Sequence, residues 1–463
     1  MERKNAWAAY AEDDSRVEAF AKAYCDFINN GKTERECVAY GEKLAKAHGF
    51  EDLNAVIRSG RKLEAGARVY ANWMGKSFML FVLGEKPLEE GMNILGAHID
   101  SPRIDVKQNP LYEDTDLAYL DTHYYGGIKK YQWVAMPLAL HGVIIKKNGE
   151  KVPVNIGEDE NDPVFCISDL LIHLAQEQMA KNAKDVVEGE ALNLIVGGRP
   201  LAGEEKDAVK ANVLKLLDDK YGVEEEDFLS AELEIVPAGK ARDMGFDRSM
   251  ILGYGHDDRV CAYPSMMAVL DYEGTPDYTL CCIITDKEEI GSVGATGMAS
   301  HYLENTVAEL YACTADYCEL AVRRCLRNSR MLSSDVSAGY DPNFASAFEK
   351  KNSAFLGRGI CFNKFTGSRG KSGSNDANPE FMASLRKIMD DAGVAFQTAE
   401  LGRVDLGGGG TIAYLCAKYG MNVIDSGIAV LSMHAPYEII SKVDLYEGYR
   451  CYCAFLKGAK PVD

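Results

Sequence analysis

Three features of the sequence predict an α/β protein of two domains. Residues 280–284 are an unbroken apolar run, the pattern of a strand buried on both faces. Helix-like segments lead into further strands over the first hundred residues and return in the C-terminal half. Between them, from Lys107 to about Phe246, the chain changes to short β-like runs. A length of 463 residues also exceeds the size at which one core stops growing. The division expected is therefore 1–107 with 247–463 as one domain and 108–246 as a β-rich insertion.

Taken in order, residues 16–31 and 33–49 show helical spacing of apolar side chains, with Gly31 and Gly49 as stops. Residues 70–83 alternate like strands, and 93–97 form a short apolar strand that ends in His98-Ile99-Asp100. In the insertion, β-like runs are read at 143–147, 152–156, 192–196 and 233–237, with an amphipathic stretch at 167–180 that carries His173. Residues 203–227 read as an exposed helix followed by a loop. After Gly255-His256-Asp257-Asp258-Arg259 come the 280–284 strand, a long helix-like segment at 308–327, and a short run ending at Asp335. Residues 423–433 read as an apolar strand ending in His434.

Composition excludes several classes. A net charge of −19 leaves no basic surplus for nucleic acid. The N-terminal residues lack an apolar signal core, and no segment approaches the ~18 apolar residues of a membrane span. Thirteen cysteines without a Cys-x-x-Cys pair suit reduced thiols in a cytoplasmic protein, with Cys281 and Cys282 as core packing.

The chemistry gathers where strands end. The 280–284 run gives way to Asp286-Lys287-Glu288-Glu289 and then Gly291, Gly294 and Gly297. The C-terminal edge of a parallel sheet is where open α/β proteins place ligands. Taken alone, the acid pair reads as a solvated turn, and a single His on a strand as structural. Four apolar runs, however, end in His98, Glu289, Asp335 and His434, with the acidic turn at Asp257 between them. Histidine with carboxylates and no thiolate suits zinc, cobalt or manganese. Five ligands, one of them bridging, is the count for two ions, and Glu288 is left over as a carboxylate beside a ligand. Asp100, two residues beyond His98, is placed to fix its imidazole.

The segments GAHIDSP, GHDDR, DKEEIGSVG, SSDVSAGYDPNF and SMHAPYE, in this order, resemble the aspartyl aminopeptidase family of two-metal (co-catalytic zinc) exopeptidases. The resemblance implies a three-layer metallopeptidase catalytic domain with a mixed β-sheet, plus an inserted β-rich dimerisation domain. It implies that His98, Asp257, Glu289, Asp335 and His434 hold two divalent ions per subunit, zinc first and cobalt or manganese as alternatives, with Asp257 bridging. It assigns Glu288 as general base, Asp100 as the group orienting His98, and a cis peptide at Asp257-Asp258. LLIHLA resembles the segment whose histidine, here His173, enters a neighbouring subunit's site. The implied assembly is a homo-dodecamer of dimers acting on peptides in the cytoplasm.

Two departures stand out. Asp258 occupies a position that is Asn in many relatives. Asn363 aligns where acid-preferring relatives carry Lys, with Lys364 adjacent, and one step along a strand turns a side chain to the other face. A neutral or broad preference for the N-terminal residue is expected, with strict Asp/Glu specificity as the alternative. A metal-dependent deacylase and a metal-free scaffold are the rival readings on the same framework. Residues 367–372 echo a phosphate loop, but its first glycine would fall at Phe365 and no strand leads into it. Residues 407–410, four glycines, read as backbone passing close to substrate.

Overall fold

The computed structural model describes residues 4–367 and 370–462. Ser368 and Arg369, within the loop that echoes a phosphate-binding motif, lie outside the described residues. The chain divides into two compact units: Met1–Asp100 with Arg242–Met433 and Glu438–Asp463, and Ser101–Ala241 with His434–Tyr437. The boundaries expected at 108 and 246 are therefore corrected. Strand Arg103–Asp114 runs unbroken through Lys107 and belongs wholly to the insertion's sheet. Arg242–Met244 pairs with Met250–Gly253 in a sheet of the first unit, so the insertion closes at Ala241.

The first unit is built on a nine-stranded mixed sheet, consistent with the α/β expectation. Its four central strands, Thr279–Thr285, Met92–His98, Arg330–Ser334 and Asn422–Gly427, lie side by side and parallel. Ser77–Val82 on one side and Ile360–Asn363 on the other run antiparallel to them. The central strands are buried on both faces because helices cover both, which is why 280–284 shows no alternation. On one face Cys281, Ile283, Ile94, Met331 and Val423 pack with Leu303, Val307, Leu310, Val322 and Leu326 from helices Tyr302–Thr314 and Glu319–Asn328. On the other, helices His256–Leu270 and Lys442–Gly458 contact Met92–His98. The result is three layers, helix on sheet on helix.

Local signals explain some element ends. Helix Glu34–Ala47 starts in a capping box of Thr33 and Glu36. The segment 308–327 is not one helix: Ala315 is extended (φ −139°, ψ −177°) and separates two. Residues 423–433 likewise form two strands, Asn422–Gly427 in the large sheet and Ala429–Leu431 in a five-stranded one. The switch needs glycine: a Cβ on Gly427 would lie 1.8 Å from the Asp335 carbonyl oxygen. His434 is consequently not the end of a strand of the large sheet.

The second unit holds a six-stranded antiparallel sheet, with helix Ala208–Tyr221 as its longest helix. The stretch 167–180 is not a continuous amphipathic helix. It contains a 3₁₀ turn, Ile172–Leu174, and a short helix, Gln176–Met179. Ile167 and Ala175 are buried, but the apolar side chains around the turn face outward, Ile172 at 67% and Leu174 at 68% exposure. Among the described residues, no helix is long and apolar enough to cross a membrane.

Candidate active site

The parallel register places three strand ends together. Thr285 pairs with His98, and Ser333, two residues before Asp335, pairs with Gly96. His98 is buried at the centre of this edge. Its Nδ1 lies 3.0 Å from the Asp100 carbonyl oxygen and 3.2 Å from Asp100 Oδ1. Its Nε2 faces Asp257 Oδ1 at 3.3 Å and Asp335 Oδ1 at 3.9 Å. Asp257 opens the turn into helix His256–Leu270, where Gly255 is left-handed (φ 76°) and the Asp257-Asp258 peptide is cis.

Glu288 and Glu289 are not at the strand end itself. They form a 3₁₀ turn, Glu288–Ile290, entered through Lys287 in the left-handed region (φ 69°). Asp100 holds that turn: Glu288 N donates to its Oδ1 and Glu289 N to its Oδ2, each at 3.1 Å. One carboxylate therefore orients the imidazole and places both glutamates. Three overlapping donor sets result, His98 with Asp257 and Glu289, His98 with Glu288 and Asp335, and Asp257 with Asp258 and Asp335. Within each set the ligand atoms lie within 4.8 Å of one another.

So many acids in a dry pocket oppose one another's ionisation. Burial pushes the Glu288 carboxyl up to about 8, helped by Asp335, Asp100 and Asp257 and resisted by His98. Asp258 is pushed up by burial and by Asp335 and Asp257. Burial pulls the His98 imidazole down, but hydrogen bonds to Asp100, Asp257 and Asp335 outweigh it and raise it. A divalent cation among these groups would favour the ionised carboxylates. One imidazole and several carboxylate oxygens is a donor set that zinc accepts.

Two supporting residues escape a reading by strand ends. Glu438 Oε2, buried, accepts from Asp257 N at 2.9 Å. Arg259, also buried, donates from Nε to Ile99 O at 3.1 Å and from a terminal nitrogen to Lys32 O at 3.0 Å, fixing the chain just past His98. Both stand inside the motifs SMHAPYE and GHDDR, the only signal available for them. His434 belongs to the second unit and to none of the three donor sets; its Nδ1 lies 2.9 Å from Gly127 O. His173 sits on the exposed 3₁₀ turn of that unit.

Residues 27–456 match the family described as aminopeptidase I zinc metalloprotease, M18. The chain belongs to the M18 family. It is 59% identical over 458 residues to the probable M18 family aminopeptidase 1 of Clostridium acetobutylicum, covering 98% of both chains. The crystal structure of the Thermotoga maritima M18 aminopeptidase superposes with a TM-score of 0.94 at 43% identity, over 99% of this chain and 100% of that one. The Saccharomyces cerevisiae mApe1 dodecamer, 21% identical over 96% of this chain and 97% of that one, shares the fold with a TM-score of 0.76. The chain is thus an M18 aminopeptidase, a zinc metalloprotease of mixed α/β fold.

For this M18 aminopeptidase the double role of Asp100 has a measurable consequence. Asp100→Asn cannot accept from His98 and both glutamate N–H groups at once. Metal affinity is expected to fall by about 10- to 100-fold, read by competition with a chromogenic chelator. Unchanged affinity would show that the turn and the imidazole hold their places without it.

Proposed function

We propose that the chain releases N-terminal residues from peptides, with Glu288 as general base at a centre of two divalent ions. The observation that carries this reading is the meeting of His98, Asp257, Glu288, Glu289 and Asp335 on one sheet edge, in donor sets no wider than 4.8 Å. In this proposal His98, Asp257, Glu289 and Asp335 would hold the ions, with His434 as the fifth donor that the family resemblance implies. The bound pair would supply a water acidified towards neutrality and a Lewis acid for the peptide carbonyl. Glu288, beside Glu289 on the same turn, takes the proton of the attacking water and passes it to the departing amine. Its raised proton affinity suits that exchange before ions are considered. Asp100 keeps the His98 tautomer and the glutamate turn in register.

A neutral or broad preference for the N-terminal residue is expected. Asn363 is buried, and its amide donates to Ser337 Oγ at 2.9 Å. Lys364 is already ion-paired with Asp376, and Lys371 reaches the other oxygen of the same carboxylate at 2.9 Å. On a panel of amino-acid chromogenic amides, Leu and Met are expected to exceed Asp and Glu in kcat/KM. A clear preference for Asp would contradict this and point to Lys364, Lys371 or Arg369 as the cation.

The protein acts, in this reading, as a cytoplasmic homo-dodecamer of dimers, in which His173 enters the partner's site. Support comes from the exposed apolar cluster around it, Leu170, Leu171, Ile172 and Leu174, which needs cover in a stable protein. There His173 would donate to the developing oxyanion. His173→Phe should keep oligomer size and metal content and cost about 10²-fold or more in kcat. Mixing inactive His173→Phe with inactive Glu288→Gln subunits should restore activity, because some dimers then combine both intact groups. Mixtures that stay inactive despite demonstrated exchange would refute the shared site.

A further inference from the structure

A cavity of about 490 Å³ lies in the first unit beside the edge strand Phe396–Thr398. Its wall carries Lys351, Arg358 and Arg386 and no carboxylate. These cations come from separate pieces of chain: the turn Lys350–Asn352, the loop before strand Ile360–Asn363, and helix Pro379–Ala392. Among the described residues none of the three is in an ion pair. Lys387, next to Arg386 on the same helix, does have a partner, Asp391 at 2.6 Å.

Arg358 is held in place as well as unpaired with acid. The backbone N–H groups on either side of it, Gly357 and Gly359, each donate to the buried Asp444 carboxylate at 2.6 Å. Gln397 ties the same loop together, its amide donating to Phe355 O at 2.9 Å and Gly359 O at 3.1 Å. The guanidinium lies 4.6 Å from the centre of the Phe355 ring. A guanidinium whose chain and face are fixed loses little freedom on binding, so its paired N–H groups are ready for an oxyanion.

We propose that this cavity binds a phosphate monoester. Three cations with two guanidinium forks match the charge and the spread oxygens of a phosphate dianion, whereas a monocarboxylate would engage one fork. Phe355 and Met382, on the same wall, offer an apolar side for the organic part. The rival reading, three solvated surface cations, accounts for Lys351 and Arg386 but not for an arginine whose flanking backbone is held on both sides and whose guanidinium lies beside the Phe355 ring.

Calorimetry on the metal-loaded holoenzyme tests this with glucose 6-phosphate, inorganic phosphate and glucose as probes. Glucose 6-phosphate is expected to bind saturably, and glucose not at all. Inorganic phosphate reports whether the free ion suffices or the ester is needed. In Arg358→Gln/Arg386→Gln the ester should bind at least about ten-fold more weakly, the scale of one lost charge-assisted bond. Lys351→Gln/Arg386→Gln, which leaves the Arg358 loop untouched, guards against a folding defect and should weaken binding in the same direction. Peptidase activity should be unchanged in both. Three results would overturn the proposal: no saturable heat, binding that survives both double variants and so belongs to the metal centre, or a change of oligomeric state in the variants, which would show the cations facing a second copy of the chain.

Discussion

Glu288→Gln is expected to lower kcat by at least about 10²-fold while metal content is unchanged. The amide keeps the shape of the side chain and cannot accept the proton of the attacking water. The backbone bond from Glu288 N to Asp100 Oδ1 is independent of the side chain, so the 3₁₀ turn should persist. KM should change little if the carboxylate acts only on the proton. Glu289→Gln is the matching control: it removes a charged donor from the set with His98 and Asp257, so metal should be lost along with activity. If the two phenotypes are exchanged, the assignment within the pair is reversed. Metal analysis and steady-state kinetics on both variants decide it.

The central strands were legible because burial on both faces leaves continuous apolar runs, and because parallel strands bring their C-terminal ends to one edge. His98 and Asp335 could be placed at that edge from sequence alone, and the glutamate pair close beyond it. The 3₁₀ turn that carries Glu288 and Glu289 could not, since it depends on Asp100, 188 residues earlier than Glu288 in the chain. Nor could the change of sheet at Gly427, where the chain turns because Asp335 backbone passes close by. An apolar run that crosses from one sheet to another has the same composition as a single strand. The edges of the insertion were misread for a related reason: strand Arg103–Asp114 is polar over much of its length, so composition shifts later than structure does. The stretch around His173 shows the opposite error. Its apolar residues have helical spacing, yet they lie on a short turn with their side chains in solvent.

Metal dependence is the claim on which the rest depends, and one measurement addresses it most directly. The purified protein is stripped with a chelator and its metal content followed by elemental analysis. Hydrolysis of a leucine chromogenic amide is then recorded as zinc, cobalt or manganese is returned. The donor sets around His98 and Asp257 predict that activity vanishes on stripping and returns as the centre refills, with about two ions per subunit at full rate. Full hydrolysis by protein shown to be free of metal would contradict the account.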